Sequence, residues 1–454
     1  MKGRKKGTFK YLGIVITLVG GLVLLVGVAF AWRPVVTFAQ ANLQSLEDRL
    51  FLPLVLQNNN LVTPTPVTPT PGTPEPTPPT PQPTVEPAEY IVIGWNDLGM
   101  HCYNRDFSDL AVLPPFNTLW AQVIRRGDPP EIVTEGVTVE YSFPDNTYSV
   151  GKSNFWDYDL ALFGVDLPEN IGLTGIGLSG LMVAHDDHFA AEGIPLTEYN
   201  DGDHVTRIPY QLANIVVRDA SGNELASNQV VAPVSTEMRC DECHSDYGEG
   251  NENIATGVVE QNILTKHDDE NMDEYPAGHE GPLMDRRPIL CAECHSSNAL
   301  GAPGVEGLPS LSRAMHDKHK EKVPNSTDGC YKCHPGPETQ CLRDVMSSEY
   351  DMGCVVCHGN MEQVSQNPNP WLEEPRCDTC HDQAGYEQNH PLYRMSTGHG
   401  GLYCEACHDS THAIATSSQP EDAIKFINLQ GHSGTLNTCT VCHLTQPEDG
   451  GPHQ

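Results

Sequence analysis

Seven copies of Cys-x-x-Cys-His crowd the second half of the chain. Their thiols and imidazoles are Cys240, Cys243 and His244; Cys291, Cys294 and His295; Cys330, Cys333 and His334; Cys354, Cys357 and His358; Cys377, Cys380 and His381; Cys404, Cys407 and His408; and Cys439, Cys442 and His443. Two thiols three residues apart can form thioethers with the two vinyl groups of one porphyrin. The following His then sits beneath the iron as its proximal ligand. Cys-x-x-Cys also serves zinc and thiol exchange. Neither use needs a His directly after the second Cys seven times over. The expectation is therefore seven covalently held haem c groups, which account for 14 of the 16 Cys.

Each iron then needs, or deliberately lacks, a sixth ligand. Nine His lie outside the motifs in the same half: His267, His279, His316, His319, His390, His399, His412, His432 and His453. Nine candidates for seven irons permit two-His ligation throughout. His316 and His319 share one predicted helix at i and i+3, so the pair can serve two adjacent haems. His399 and His412 flank the sixth motif, and His432 precedes the seventh. His267 and His453 rank last. Met100, Met346, Met352 and Met395 are softer alternatives.

Two Cys are left over. Cys102 and Cys341 read as an inter-domain disulfide, as structural free thiols, or as a reactive thiol or iron ligand with Arg343 near Cys341. A second metal candidate is His185 and His188 with His101 and His204, read as a zinc or copper site, as a polar loop, or as the source of a His for a nearby haem.

These residues need elements to hold them. Residues 1–33 read as a basic cytoplasmic end and a transmembrane anchor or signal peptide, with an uncharged run from Tyr11 to Trp32. Residues 34–88 are a linker rich in Thr and Pro, extended as a stalk. Residues 89–235 read as a β-sandwich-like domain. Val137, Val139, Tyr141 and Phe143 alternate with polar residues, Tyr90–Trp95 reads as a strand, and Asp219–Asn223 as a hairpin turn. Residues 236–454 are expected to form a mainly loop and short-helix multihaem domain organised around its haems, because apolar residues are too sparse for an ordinary core. Motif starts fall 51, 39, 24, 23, 27 and 35 residues apart, so the middle haems must lie close together.

The chain carries a formal net charge of −34. Residues 236–454 hold 35 acidic against 13 basic side chains, a net −22. This excludes nucleic acid and anionic membrane surfaces as partners and favours cationic redox partners or plain solubility.

The seven motifs, Met315-His-x-x-His319, Gly398-His-Gly-Gly401 and Gly450-Gly-Pro-His453 resemble the multihaem c-type cytochromes of extracellular and dissimilatory electron transfer. The segment Gly94–Cys102 is similar to the opening of a β-rich domain that accompanies them. The resemblance implies stacked haems that pass electrons outside the cytoplasmic membrane. They would link a membrane or periplasmic donor to redox partner proteins or external acceptors, with assembly into a homo-oligomer or filament admissible. The rival expectation is a multihaem reductase or oxidase of nitrogen or sulfur compounds with one open haem. Against it, no Cys-x-x-Cys-Lys motif of the pentahaem nitrite reductases occurs.

Overall fold

The computed structural model describes residues 88–367, 375–382, 385–448, 451 and 453. The expected membrane segment, and all but the last residue of the expected linker, lie outside the described residues. Among those described, no helix is long and apolar enough to cross a membrane.

The strands in chain order are β1 (Tyr90–Asn96), β2 (His101–Cys102), β3 (Leu110–Ala111), β4 (Thr118–Arg125), β5 (Glu131–Ile132), β6 (Val137–Ser142), β7 (Ser179–Leu181), β8 (Val183–Ala184), β9 (Phe189–Glu192), β10 (Tyr210–Asp219), β11 (Glu224–Ser235) and β12 (Ile289–Leu290). The α-helices are α1 (Phe155–Phe163), α2 (Asp241–His244), α3 (Val259–Asn271), α4 (Leu311–His319), α5 (Thr327–Cys330), α6 (Val345–Tyr350), α7 (Cys354–His358), α8 (Met361–Gln366), α9 (Cys404–His408) and α10 (Ile424–Gln430).

One sheet runs β1-β4-β9-β8 with β5 on β4, and the other runs β2-β11-β10-β6-β7. Alternation explains the second sheet: β6 buries Val139 and Tyr141 while Thr138 and Glu140 face outward. Between β10 and β11 the Asp219 carboxylate accepts from the backbone N–H of Ser221 and Asn223 at 2.8 Å each, which closes the hairpin. Val92, Leu119 and Val123 from the first sheet share a buried core with Val139, Ile215, Val217 and Val230 from the second. At Gly94 the sheets approach closely, since a Cβ there would lie 2.3 Å from the Ile215 side chain.

The expected architecture is corrected here. The described residues form a β-rich body with 26% helix, rather than a β domain followed by a mainly loop multihaem domain. The cause can be seen in β1, Tyr-Ile-Val-Ile-Gly-Trp-Asn, which is apolar on both faces. Val92 points into the inter-sheet core, while Ile93 and Trp95 point the other way. There they meet Trp120, Ile124, Tyr403, Ala406, Phe426, Leu436 and Val441. The apolar residues of the C-terminal half thus complete a second core on the back of the first sheet. β12 also pairs with β3 in parallel, and Asn428 Nδ2 of α10 donates to Asn228 Oδ1 of β11 at 3.1 Å.

Candidate functional site

Every motif folds as a single helical turn. The backbone N–H of His244, His295, His334, His381 and His443 donates to the carbonyl of the first Cys of its own motif at 2.8–3.0 Å. The other two motifs form α7 and α9. Residues at i, i+3 and i+4 share one helical face, so each turn presents both thiols and the imidazole together.

Six of the seven motif His face a second His ring. Ring centroids are 6.2 Å apart for His244 and His319, 6.3 Å for His267 and His295, and 6.1 Å for His316 and His334. They are 6.0 Å apart for His358 and His412, 6.0 Å for His399 and His443, and 5.7 Å for His408 and His453. A metal–imidazole bond of about 2 Å, plus about 1 Å to the ring centre, puts two rings about 6 Å apart across one ion. For five of the pairs this separation equals that of two imidazoles across one ion, whereas His408 and His453 also approach directly, Nε2 to Nε2 at 3.5 Å.

Eight of the twelve facing rings have a contact at Nδ1. Nδ1 of His316, His319, His295 and His453 lies 2.6–2.9 Å from the carbonyls of Ser312, Met315, Pro309 and Gly385. Nδ1 of His244 meets Asn251 Oδ1 at 2.8 Å, and that of His267 meets the Tyr275 hydroxyl at 3.0 Å. The Tyr275 hydroxyl donates to Asp268 at 2.6 Å, so it accepts from His267. His443 Nδ1 lies 3.3 Å from Asp128 Oδ1, and His412 Nδ1 lies 3.8 Å from Cys341 Sγ. These contacts leave Nε2 for the facing partner. Burial pushes His334 and His408 down to about 4, and His412 down to about 3, so these rings are neutral with a lone pair to give.

His316 and His319 lie one above the other on α4 and address the third and first motifs respectively. Ser310 caps this helix by accepting from Arg313 N–H at 3.2 Å. His267 and His453, ranked last from sequence, both stand opposite a motif His. Three candidates do not. His279 Nδ1 accepts from Arg286 at 2.7 Å, His390 Nδ1 accepts from Leu392 N–H at 3.1 Å, and both ring nitrogens of His432 are engaged by Ser433 and Thr438. Beside His381 the ring found is Tyr386, at 6.1 Å.

Motif thiols from different turns approach one another. Cys333 lies near Cys243 and Cys240, and Cys330 lies near Cys354. Cys357 is near Cys380, Cys377 near Cys404, and Cys407 near Cys442. The turns thus follow the order one, three, four, five, six, seven. The second joins at the first through α3, which packs on α2 and carries His267.

Cys102 and Cys341 are both free thiols, and burial pushes them up to about 11 and about 12. The β-region His do not gather. His101 pairs with Asp97 at 3.2 Å, His185 stacks on His188 at 4.6 Å, and His204 lies by Gly151. Among the described residues no group of three or more His, Cys, Asp or Glu is arranged to hold a bare metal ion. A haem iron asks for less, since the porphyrin supplies four of its ligands and the protein two.

Sequence reasoning missed Asp128, Asn251 and Tyr275, the partners behind the imidazoles. Asp128 is 315 residues from His443 and carries no local signal. No family model matches the chain, nor does any curated protein or solved structure.

Proposed function

We propose that the chain binds seven c-type haems and carries electrons along them outside the cytoplasmic membrane, between a membrane or periplasmic donor and an external acceptor. The observation that carries this reading is the set of six facing His pairs at 5.7–6.3 Å, each with one ring from a Cys-x-x-Cys-His turn. A bound haem c supplies a one-electron iron couple, low in potential when two His ligate it. The protein's part is to hold neutral imidazoles on both sides, keep the turns close, and exclude water with the β sheets. The order of motif thiols supports one row of centres, with the second and seventh at its ends. Export agrees with covalent haem attachment and with the acidic surface.

A second reading is favoured by one observation. His381 has Tyr386, not His, as its nearest ring among the described residues. An iron held there with one strong ligand would bind an external small molecule, as a nitrogen- or sulfur-compound reductase requires.

Two measurements on the purified full chain test both readings. Intact mass should exceed the polypeptide by seven haems; a mass without them sinks the haem reading altogether. Carbon monoxide added to the dithionite-reduced protein then separates the rest. An unchanged visible spectrum supports the pure carrier, while a change worth one haem in seven, whose band positions shift in His381→Ala while the other six centres stay as they were, supports the ligand-binding centre.

A further inference from the structure

The seventh motif differs from the others in what holds it. Residues 126–128, at the end of β4, clamp it from outside its own half of the chain. Arg126 donates from Nε to the Val441 carbonyl at 3.0 Å and from Nη2 to the Thr440 carbonyl at 2.7 Å. The Gly127 N–H donates to the Cys442 carbonyl at 3.2 Å. Asp128 then offers its carboxylate to three groups. Oδ1 lies 3.3 Å from His443 Nδ1 and accepts from Leu444 N–H at 3.2 Å, while Oδ2 accepts from the Thr445 hydroxyl at 2.8 Å. β4 reaches the opposite ligand too. Gln122 Nε2 donates to the Gly401 carbonyl at 3.2 Å, two residues from His399.

Among the anchors found behind the facing His rings, Asp128 is the one carboxylate in direct contact with Nδ1; the rest are carbonyls, an amide, a hydroxyl and a thiol. A carboxylate that accepts the Nδ1 proton makes the imidazole a stronger donor at Nε2. Stronger donation favours the ferric ion over the ferrous. The Thr445 and Leu444 contacts fix the carboxylate against this ring, although Asp128 itself is exposed to solvent.

We propose that Asp128 is a positioning residue for the seventh iron, which orients His443 and lowers the potential of that one centre. This rests on the haem reading above. It assigns the β-rich region a part in setting the redox order of the row, at its terminal member, where an electron enters or leaves.

The test is a spectroelectrochemical titration of the full-length holoprotein with Asp128→Asn, which keeps the shape and removes the charge. Asp128→Ser serves as a second neutral variant should the first not accumulate. One component in seven should move to higher potential. The expected change is roughly three- to tenfold in its reduced-to-oxidised ratio at a fixed potential, where tenfold corresponds to about 59 mV for one electron. Asp128→Glu should restore most of the shift. A titration that overlays the wild type, or a shift spread over all seven components, overturns the proposal. Haem count by intact mass is read on the same samples, so loss of the haem reading is seen separately.

Discussion

Replacing Arg343 with Met should destabilise the holoprotein by about 3–5 kcal/mol, the usual penalty for stripping one partner from a buried ion pair. Both side chains are out of water, with 0% exposure for Arg343 and 2% for Asp422. The pairing is bidentate, with Nε to Oδ2 at 2.7 Å and Nη2 to Oδ1 at 3.0 Å. Removing the guanidinium leaves Asp422 charged and unsolvated, because Ser417, its other partner, is neutral. The Asp422 charge also holds the Arg343 guanidinium above its ordinary range despite burial. The double change Arg343→Met with Asp422→Leu should recover much of the loss, since no orphaned charge remains. Urea unfolding of wild type, single and double variants measures this. A single variant within about 1 kcal/mol of wild type would show that the pair is wet, contrary to its burial. The effect should reach the fourth motif. Arg343 Nη1 donates to the Cys341 carbonyl at 3.0 Å, and Cys341 stands behind His412, which faces His358. The single variant should therefore also broaden the spectrum of one centre.

On the proposed haem reading, His316→Ala and His319→Ala should each open a different iron, although the two side chains sit one turn apart on α4. His319 faces His244 of the first motif and His316 faces His334 of the third. Each single variant should gain a carbon monoxide response worth one haem in seven beyond the wild type. The double variant should gain two, additively, because different irons are exposed. Haem content should stay at seven, since the thioether thiols and proximal His are untouched. Helix α4 should survive, because Ala favours helix more than His does. If both single variants opened the same centre, as judged by their redox potentials, the assignment of α4 as a bridge between the first and third motifs would be wrong. A gain of zero in either would show that the residue does not ligate the iron assigned to it.

The motifs were readable without a structure because their chemistry is local. Cys at i and i+3 and His at i+4 come to one face of any helical turn, and the observed N–H to carbonyl bonds within each motif make that turn. That His316 and His319 share one face of a helix was readable for the same reason, and the structure sets them near two different motif His. The strands β1 and β6 and the β10–β11 turn followed from periodicity and turn chemistry over a few residues.

Relations across long stretches of chain could not be read this way. His267 and His453 were ranked last, yet α3 and the tail bring them opposite His295 and His408. His432, so near the seventh motif in sequence, bonds its own loop instead. The C-terminal half was expected to lean on haem alone for its core. Tyr90–Trp95 was readable as a strand, but which residues would cover its back was not, because Tyr403, Phe426 and Val441 reach it only through tertiary packing. Local spacing thus specified which atoms could bind a porphyrin. Pairing of the imidazoles, the order of the turns, and the placement of Asp128 behind His443 depend on long-range packing, where burial of sparse apolar side chains decides which segments meet.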